Sequence, residues 1–227
     1  MPNSRNPRQL AFALPHSQSY AREDFLPGPS NAVALALVDG WPDWPARAVA
    51  LVGPEGSGKS HLADIWAADA GARCISGSAL QEASLPGALA SGAVVIEDVA
   101  ENGIDERALF HLLNLAREEG AYALLTMRSS PAGWNLALRD LASRLRALPV
   151  VTLAPPDDAL LRALLVKLFA DRQIVVEESL ITYLVTRIER SCRALRDAVA
   201  ELDREALRQK RPITRALAVE LYRERLP

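Results

Sequence analysis

The sequence predicts an α/β fold built on a five-stranded parallel sheet, followed by an all-helical C-terminal part. Three observations carry this. Residues 47–52 are a short apolar run that leads into a glycine-rich turn and then a helical pattern, the order of a strand–loop–helix unit. Apolar runs recur at 72–76, 93–98, 121–126 and 149–153, with helix-length segments between them. After Pro155-Pro156 the alternation stops and only helical patterns remain.

Bulk properties narrow the class. At 227 residues the chain is long enough for one large domain or a domain with a small companion. Its 49% hydrophobic and 24% charged content is that of a folded globular protein. A net charge of −2 supplies no broad basic field, so little direct nucleic-acid binding is expected. Cys74 and Cys192 are far apart, with no metal or redox spacing, which suits a reducing compartment. No stretch approaches the roughly 20 uncharged apolar residues of a membrane span, and the N-terminus lacks a signal-peptide core. A cytoplasmic location without membrane attachment is the expectation.

Residues 1–22 are rich in Pro, Asn, Ser and Arg and read as a tail. Within it, Gln9-Leu10-Ala11-Phe12-Ala13-Leu14 places Leu10, Phe12 and Leu14 at alternating positions. On local residues alone, two readings stand: a stray strand tucked on the domain, or an extended peptide offered to a partner's pocket. A turn-rich lead-in, residues 23–31, follows, and Ser30 or Asn31 is placed to cap a helix over 32–38. The 40–45 loop carries Trp41 and Trp44, expected to cover the sheet edge.

Gly53-Pro54-Glu55-Gly56-Ser57-Gly58-Lys59-Ser60 fills every position of G-x-x-x-x-G-K-S/T, the loop that wraps nucleoside triphosphate phosphates. Backbone N–H groups and a helix N-terminus gather around an anion in such a loop. Lys59 is expected to reach the β/γ phosphates and the Ser60 hydroxyl to ligate Mg²⁺. Helical spacing then puts Leu62, Ile65 and Trp66 inward.

A second strand at 72–76 and a short helix near 80–90 precede the apolar run 93–98, which ends in Glu97 and Asp98. Acids at the C-terminal end of a central parallel strand lie where α/β sheets place ligand chemistry. Glu97 is the candidate to orient Mg²⁺ and Asp98 to position an attacking water. Residues 105–118 form an amphipathic helix with Leu109, Leu112, Leu113 and Ala116 inward. The strand 121–126 delivers Thr126 to Pro131 toward the phosphates if it is central. One helical turn is expected at 140–145 and a fifth strand at 149–153. Four helices follow, near 159–171, 177–188, 193–208 and 214–222, with Asp157 or Asp158 and Thr214 as caps. The parts are therefore 1–22, 23–156 and 157–227.

The order of strands with a helical C-terminal lid resembles an AAA+ module, and several segments resemble its branch around the bacterial replication initiator DnaA. Gly58-Lys59-Ser60-His61-Leu62 is similar to that branch's G-K-S/T-H-L. Phe110-His111-Leu112-Leu113-Asn114, and Leu124-Leu125-Thr126 after it, are similar too. Phe25-Leu26-Pro27-Gly28-Pro29-Ser30-Asn31 resembles the lead-in that lies against the adenine. The likeness runs on into the Hda/HdaA-type regulatory inactivators of DnaA, through residues 135–145 (Asn135 to Leu145) and through Gln9 to Leu14, which resembles a sliding-clamp-binding motif with Phe12 replacing a leucine.

This resemblance implies a nucleotide site built from Phe25, Leu26, Glu55, Gly56, Ser57, Gly58, Lys59, Ser60, His61 and the lid arginine Arg193, holding ADP or ATP. It implies clamp binding through Gln9, Leu10, Phe12 and Leu14, and an arginine finger, Arg144, offered in trans to ATP held by DnaA. A homo-oligomer of this chain is a further expectation. Two positions depart from the pattern. Glu97 stands where Asp is usual, which moves the carboxylate about 1.5 Å, and Arg128 stands where a polar Asp or Asn is expected. Both predict weak intrinsic hydrolysis and a nucleotide bound as a conformational requirement. The rival expectations are a free-standing ATPase and an adaptor that binds DnaA at origins.

Overall fold

Five parallel strands form one sheet: β1 (Ala48–Val52), β2 (Arg73–Ser76), β3 (Ala93–Val99), β4 (Tyr122–Met127) and β5 (Val150–Thr152), paired in the order β2-β3-β4-β1-β5. The structure is a computed structural model and describes residues 20–223; the expected clamp-binding residues Gln9, Leu10, Phe12 and Leu14 lie outside them. β4 is central, between β3 and β1, so the carboxyl ends of β1, β3 and β4 stand side by side.

Alternating side chains explain why the strands read as continuous apolar runs. Helices α1 (Ala32–Asp39) and α2 (Lys59–Ala70) cover one face, over Val49, Leu51, Val95 and Leu124. Helices α3 (Leu85–Leu89), α4 (Glu106–Glu118) and α5 (Arg139–Ala147) cover the other, over Val52, Val94, Ile96 and Leu125. A sheet covered on both faces needs apolar residues at both parities. Leu109, Leu112, Leu113 and Ala116 of α4 are buried as their spacing predicts, and the Asp105 side chain accepts from the Ala108 amide as the cap.

Four further helices, α6 (Asp158–Ala170), α7 (Glu178–Arg187), α8 (Cys192–Gln209) and α9 (Arg215–Tyr222), enclose a core of their own around Leu165, Phe169, Leu184, Val199 and Leu202. Asp157, Ser191 and Thr214 cap α6, α8 and α9 by accepting the amides of Leu160, Ala194 and Leu217. No helix among the described residues is long and apolar enough to cross a membrane.

Local expectations are corrected in four places. The 140–145 turn is a nine-residue helix, α5, because Leu141, Ala142 and Leu145 give it a buried stripe. The helix expected near 80–90 is the shorter α3, preceded by two 3₁₀ turns, Gly77–Ala79 and Glu82–Ser84. Trp41 and Trp44 do not cover a sheet edge: Trp44 stacks on Trp66 of α2 at 4.8 Å, and both indoles pack on Tyr122 at the start of central β4. Asn31 stands before α1, yet its side chain makes no cap. It accepts the Gly28 amide and donates to the Leu26 carbonyl, tying down the lead-in loop.

Candidate functional site

The glycine loop leaves β1 and enters α2 at Lys59. Gly56 and Gly58 have φ of +72° and +101°, in the left-handed region where a side chain is strained. Gly53 is needed for space, since a Cβ there would lie 2.6 Å from the Leu153 carbonyl oxygen. Lys59 is 7% exposed, and its Nζ donates to the carbonyls of Gly53 and Pro54 at 2.8 Å each. Burial pulls its pKa below the ordinary lysine value, against the opposing pull of Asp98. A buried ammonium at a helix N-terminus is a receptor for an anion.

Both acids of β3 stand at the same end of the sheet. A register shift between Ile96 and Val99 breaks the β3–β4 ladder, and Asp98 sits in the shift with φ +51°. Its amide donates to the hydroxyl of Thr126, 1% exposed on β4, at 3.0 Å. This bulge turns Asp98 into the cleft that the loop lines. Glu97 is not part of that lining. Its Oε1 is buried and has no hydrogen-bond partner among the described residues.

Two arginines from distant elements close the mouth of the loop. Glu55 forms an ion pair with Arg128 Nη1, just beyond β4, at 2.8 Å and accepts from Arg193 Nη1, in the first turn of α8, at 2.6 Å. Beside them the Cys192 amide donates to the Gly56 carbonyl at 2.9 Å. A Cβ on Gly56 would lie 2.6 Å from Ser191 Cβ, so loop and lid touch without a gap.

The cleft encloses about 410 Å³ and reaches Gly58, Lys59, Ser60 and His61. His61 is 4% exposed; its Nε2 lies 3.0 Å from the Ala21 carbonyl oxygen, and the Tyr20 and Phe25 rings meet it edge-on. Burial holds its pKa below the ordinary histidine value. Phe25, Leu26 and Ser57 line a narrow extension between the loop and α6. Tyr20, Cys192, Arg196 and Asp197 also line the cleft, and the sequence reading did not single them out. The spacing of Arg193 and Arg196, one turn apart on α8, was the available signal for the second arginine. Tyr20 carried none.

Arg144 lies elsewhere. On α5 it donates to the Asn114 side chain, and its guanidinium stands 5.1 Å from the Phe110 ring centroid. It lines a separate surface depression with Phe110 and Asp140, so within its own chain it does not reach the loop's cleft.

No family model matches the chain. Among solved structures, domain III of the replication initiation protein DnaA from Thermotoga maritima is similar, with a TM-score of 0.74 at 18% identity, over 91% of this chain and 97% of that one. AMPPCP-bound DnaA from Aquifex aeolicus gives 0.66 at 17% identity, over 84% of this chain and 68% of that one. The Thermotoga maritima Holliday junction branch migration motor RuvB gives 0.64 at 17% identity, over 86% of this chain and 66% of that one. At such identities the likeness is one of fold, and the chain has the α/β phosphate-loop fold of the AAA+ ATPases DnaA and RuvB.

Proposed function

We propose that this chain is an adenine-nucleotide-binding AAA+ regulator of DnaA, which stimulates ATP hydrolysis by DnaA together with the DNA sliding clamp and so limits re-initiation of replication. The observation that carries it is a division of labour between two sites. Lys59, Arg128 and Arg193 gather at the chain's own loop, whereas Arg144 stands on another surface.

The residues of the cleft fit a nucleotide. Glu55 is an anion already seated between two guanidiniums above the loop, where phosphate oxygens are the matching ligand. The similarity to AMPPCP-bound DnaA supports adenine as the base. Ser60, on the cleft wall, offers the oxygen donor that Mg²⁺ takes, and Glu97, outside that lining, has a buried oxygen that lacks a protein partner among the described residues. A bound Mg²⁺ would neutralise phosphate charge there. Bound nucleotide would tie α2, β4 and α8 together through Lys59, Arg128 and Arg193 and fix the lid's position. Presented to a neighbouring subunit, Arg144 would meet charge developing on a transferring phosphoryl group. Phe110 and Asn114 keep that guanidinium extended over α4. The tail residues Gln9, Leu10, Phe12 and Leu14 would supply the clamp contact.

The test is Arg144→Ala, with Lys59→Ala beside it. Arg144→Ala should bind nucleotide as the parent chain does and lose stimulation of DnaA hydrolysis in the presence of clamp. Lys59→Ala should lose nucleotide affinity by roughly ten- to a hundredfold, the size of a charged hydrogen bond removed. Retained stimulation by Arg144→Ala overturns the trans role. Steady-state ATP turnover by the pure chain, abolished in Asp98→Ala, would favour a free-standing ATPase instead.

A further inference from the structure

We infer that Glu55 acts as an internal anion, holding Arg128 and Arg193 in place of a nucleotide's terminal phosphate and so weighting the cleft toward nucleoside diphosphate over triphosphate. This rests on the nucleotide reading above and adds to it which residue sets the discrimination.

The loop's amides and Lys59 serve the phosphates nearest α2. The last phosphate of a triphosphate needs further cations; Arg128, Arg193 and Arg196 line the cleft, and of these Arg128 and Arg193 contact the loop through Glu55. Both are taken. Their Nη1 atoms lie 2.8 and 2.6 Å from the two oxygens of one carboxylate, so each oxygen is paired with one guanidinium. A third phosphate must displace that carboxylate or stand beside its negative charge. Glu55 is also held where it is. The next residue, Gly56, is in a left-handed conformation, hydrogen-bonded to the lid through Cys192 and packed against Ser191.

The cleft's charge tells the same way. Lys59, Arg128, Arg193 and Arg196 are offset by Glu55, Asp98 and Asp197, leaving +1. A diphosphate meets that balance with less unneutralised charge than a triphosphate does. Removing the Glu55 charge raises the balance to +2 and releases both guanidiniums. The pairs are partly solvent-exposed, so the effect is modest rather than absolute.

The experiment is titration of the full chain and its Glu55→Gln variant with ADP and with ATP, each with Mg²⁺. The ratio of ATP to ADP affinity should rise roughly three- to tenfold in Glu55→Gln, the size of two exposed ion pairs released. In an Arg128→Ala/Arg193→Ala background, adding Glu55→Gln should change the ratio by less than about twofold, because the pairing is gone. An unchanged ratio in the single variant overturns the inference while leaving nucleotide binding intact. So does a shift of the same size in the arginine-free background, which would place the effect in the loop backbone. If neither nucleotide binds either chain, the nucleotide reading falls and this inference with it. Circular dichroism of the variants checks folding.

Discussion

The Cys192 amide donates to the Gly56 carbonyl at 2.9 Å, so the phosphate loop and the helical lid are joined backbone to backbone. The contact is possible because Gly56 has no side chain and a φ of +72°. It places the N-terminus of α8 beside that of α2, two positive helix ends at one cleft. Any change in the loop is therefore felt by the lid without a side chain in between.

Gly56→Ala should uncouple the two. The left-handed backbone alone costs about 1–2 kcal/mol for a residue with a Cβ, and the added methyl would lie 2.6 Å from Ser191 Cβ. Thermal unfolding should shift downward, and the Cys192 amide should exchange with solvent faster. Unchanged exchange at Cys192 would mean that the lid docks by its side chains instead.

Thr126 is buried on β4, and its hydroxyl is what the Asp98 amide donates to. Thr126→Val keeps the shape and removes the acceptor, leaving a backbone donor unpaired beside a residue in the left-handed region. A loss of about 1–3 kcal/mol is expected in denaturant unfolding. Thr126→Ser should recover most of it, because the hydroxyl returns and only a methyl is lost. Equal destabilisation by both variants would assign the role of Thr126 to packing.

Much of this was legible in the sequence, for reasons that are local. Gly53 to Ser60 announces itself because a phosphate loop needs glycine where φ is positive and lysine where the helix begins. The strand β3 shows as an apolar run because both of its faces are covered. The pairing of Glu55 with Arg128 and Arg193 was not legible, since Glu55 and Arg193 are 138 residues apart and each has ordinary charged neighbours. Nor was the place of the tryptophans: Trp44 is set by Trp66 and Tyr122, which the fold brings to it from α2 and β4. Asn31 had the residue type and position of a cap, and lost that role to the open backbone groups of Gly28 and Leu26. Tertiary partners decide such cases, and a single strand of sequence does not contain them.

His61 predicts the direction of a pH dependence. Burial among Tyr20, Phe25 and the α2 turn depresses its pKa, and the nearby charges of Arg196 and Lys167 act the same way, while Asp24 and the Ala21 carbonyl oppose them. The folded chain therefore prefers the neutral ring. In the unfolded chain the ring takes a proton below about pH 6.5. Between that value and the lower folded pKa, only the unfolded state gains a proton, so stability is full above about pH 6.5 and is lost as pH falls toward the folded value. His61→Gln keeps an amide that can donate to the Ala21 carbonyl and removes the titration. The difference in unfolding midpoint between parent and His61→Gln should narrow, or change sign in the variant's favour, on going from pH 7.5 to about pH 5. A difference that stays constant across that range would show that the ring takes up its proton at the same pH folded and unfolded, and that the packing of Tyr20 and Phe25 is insensitive to its charge.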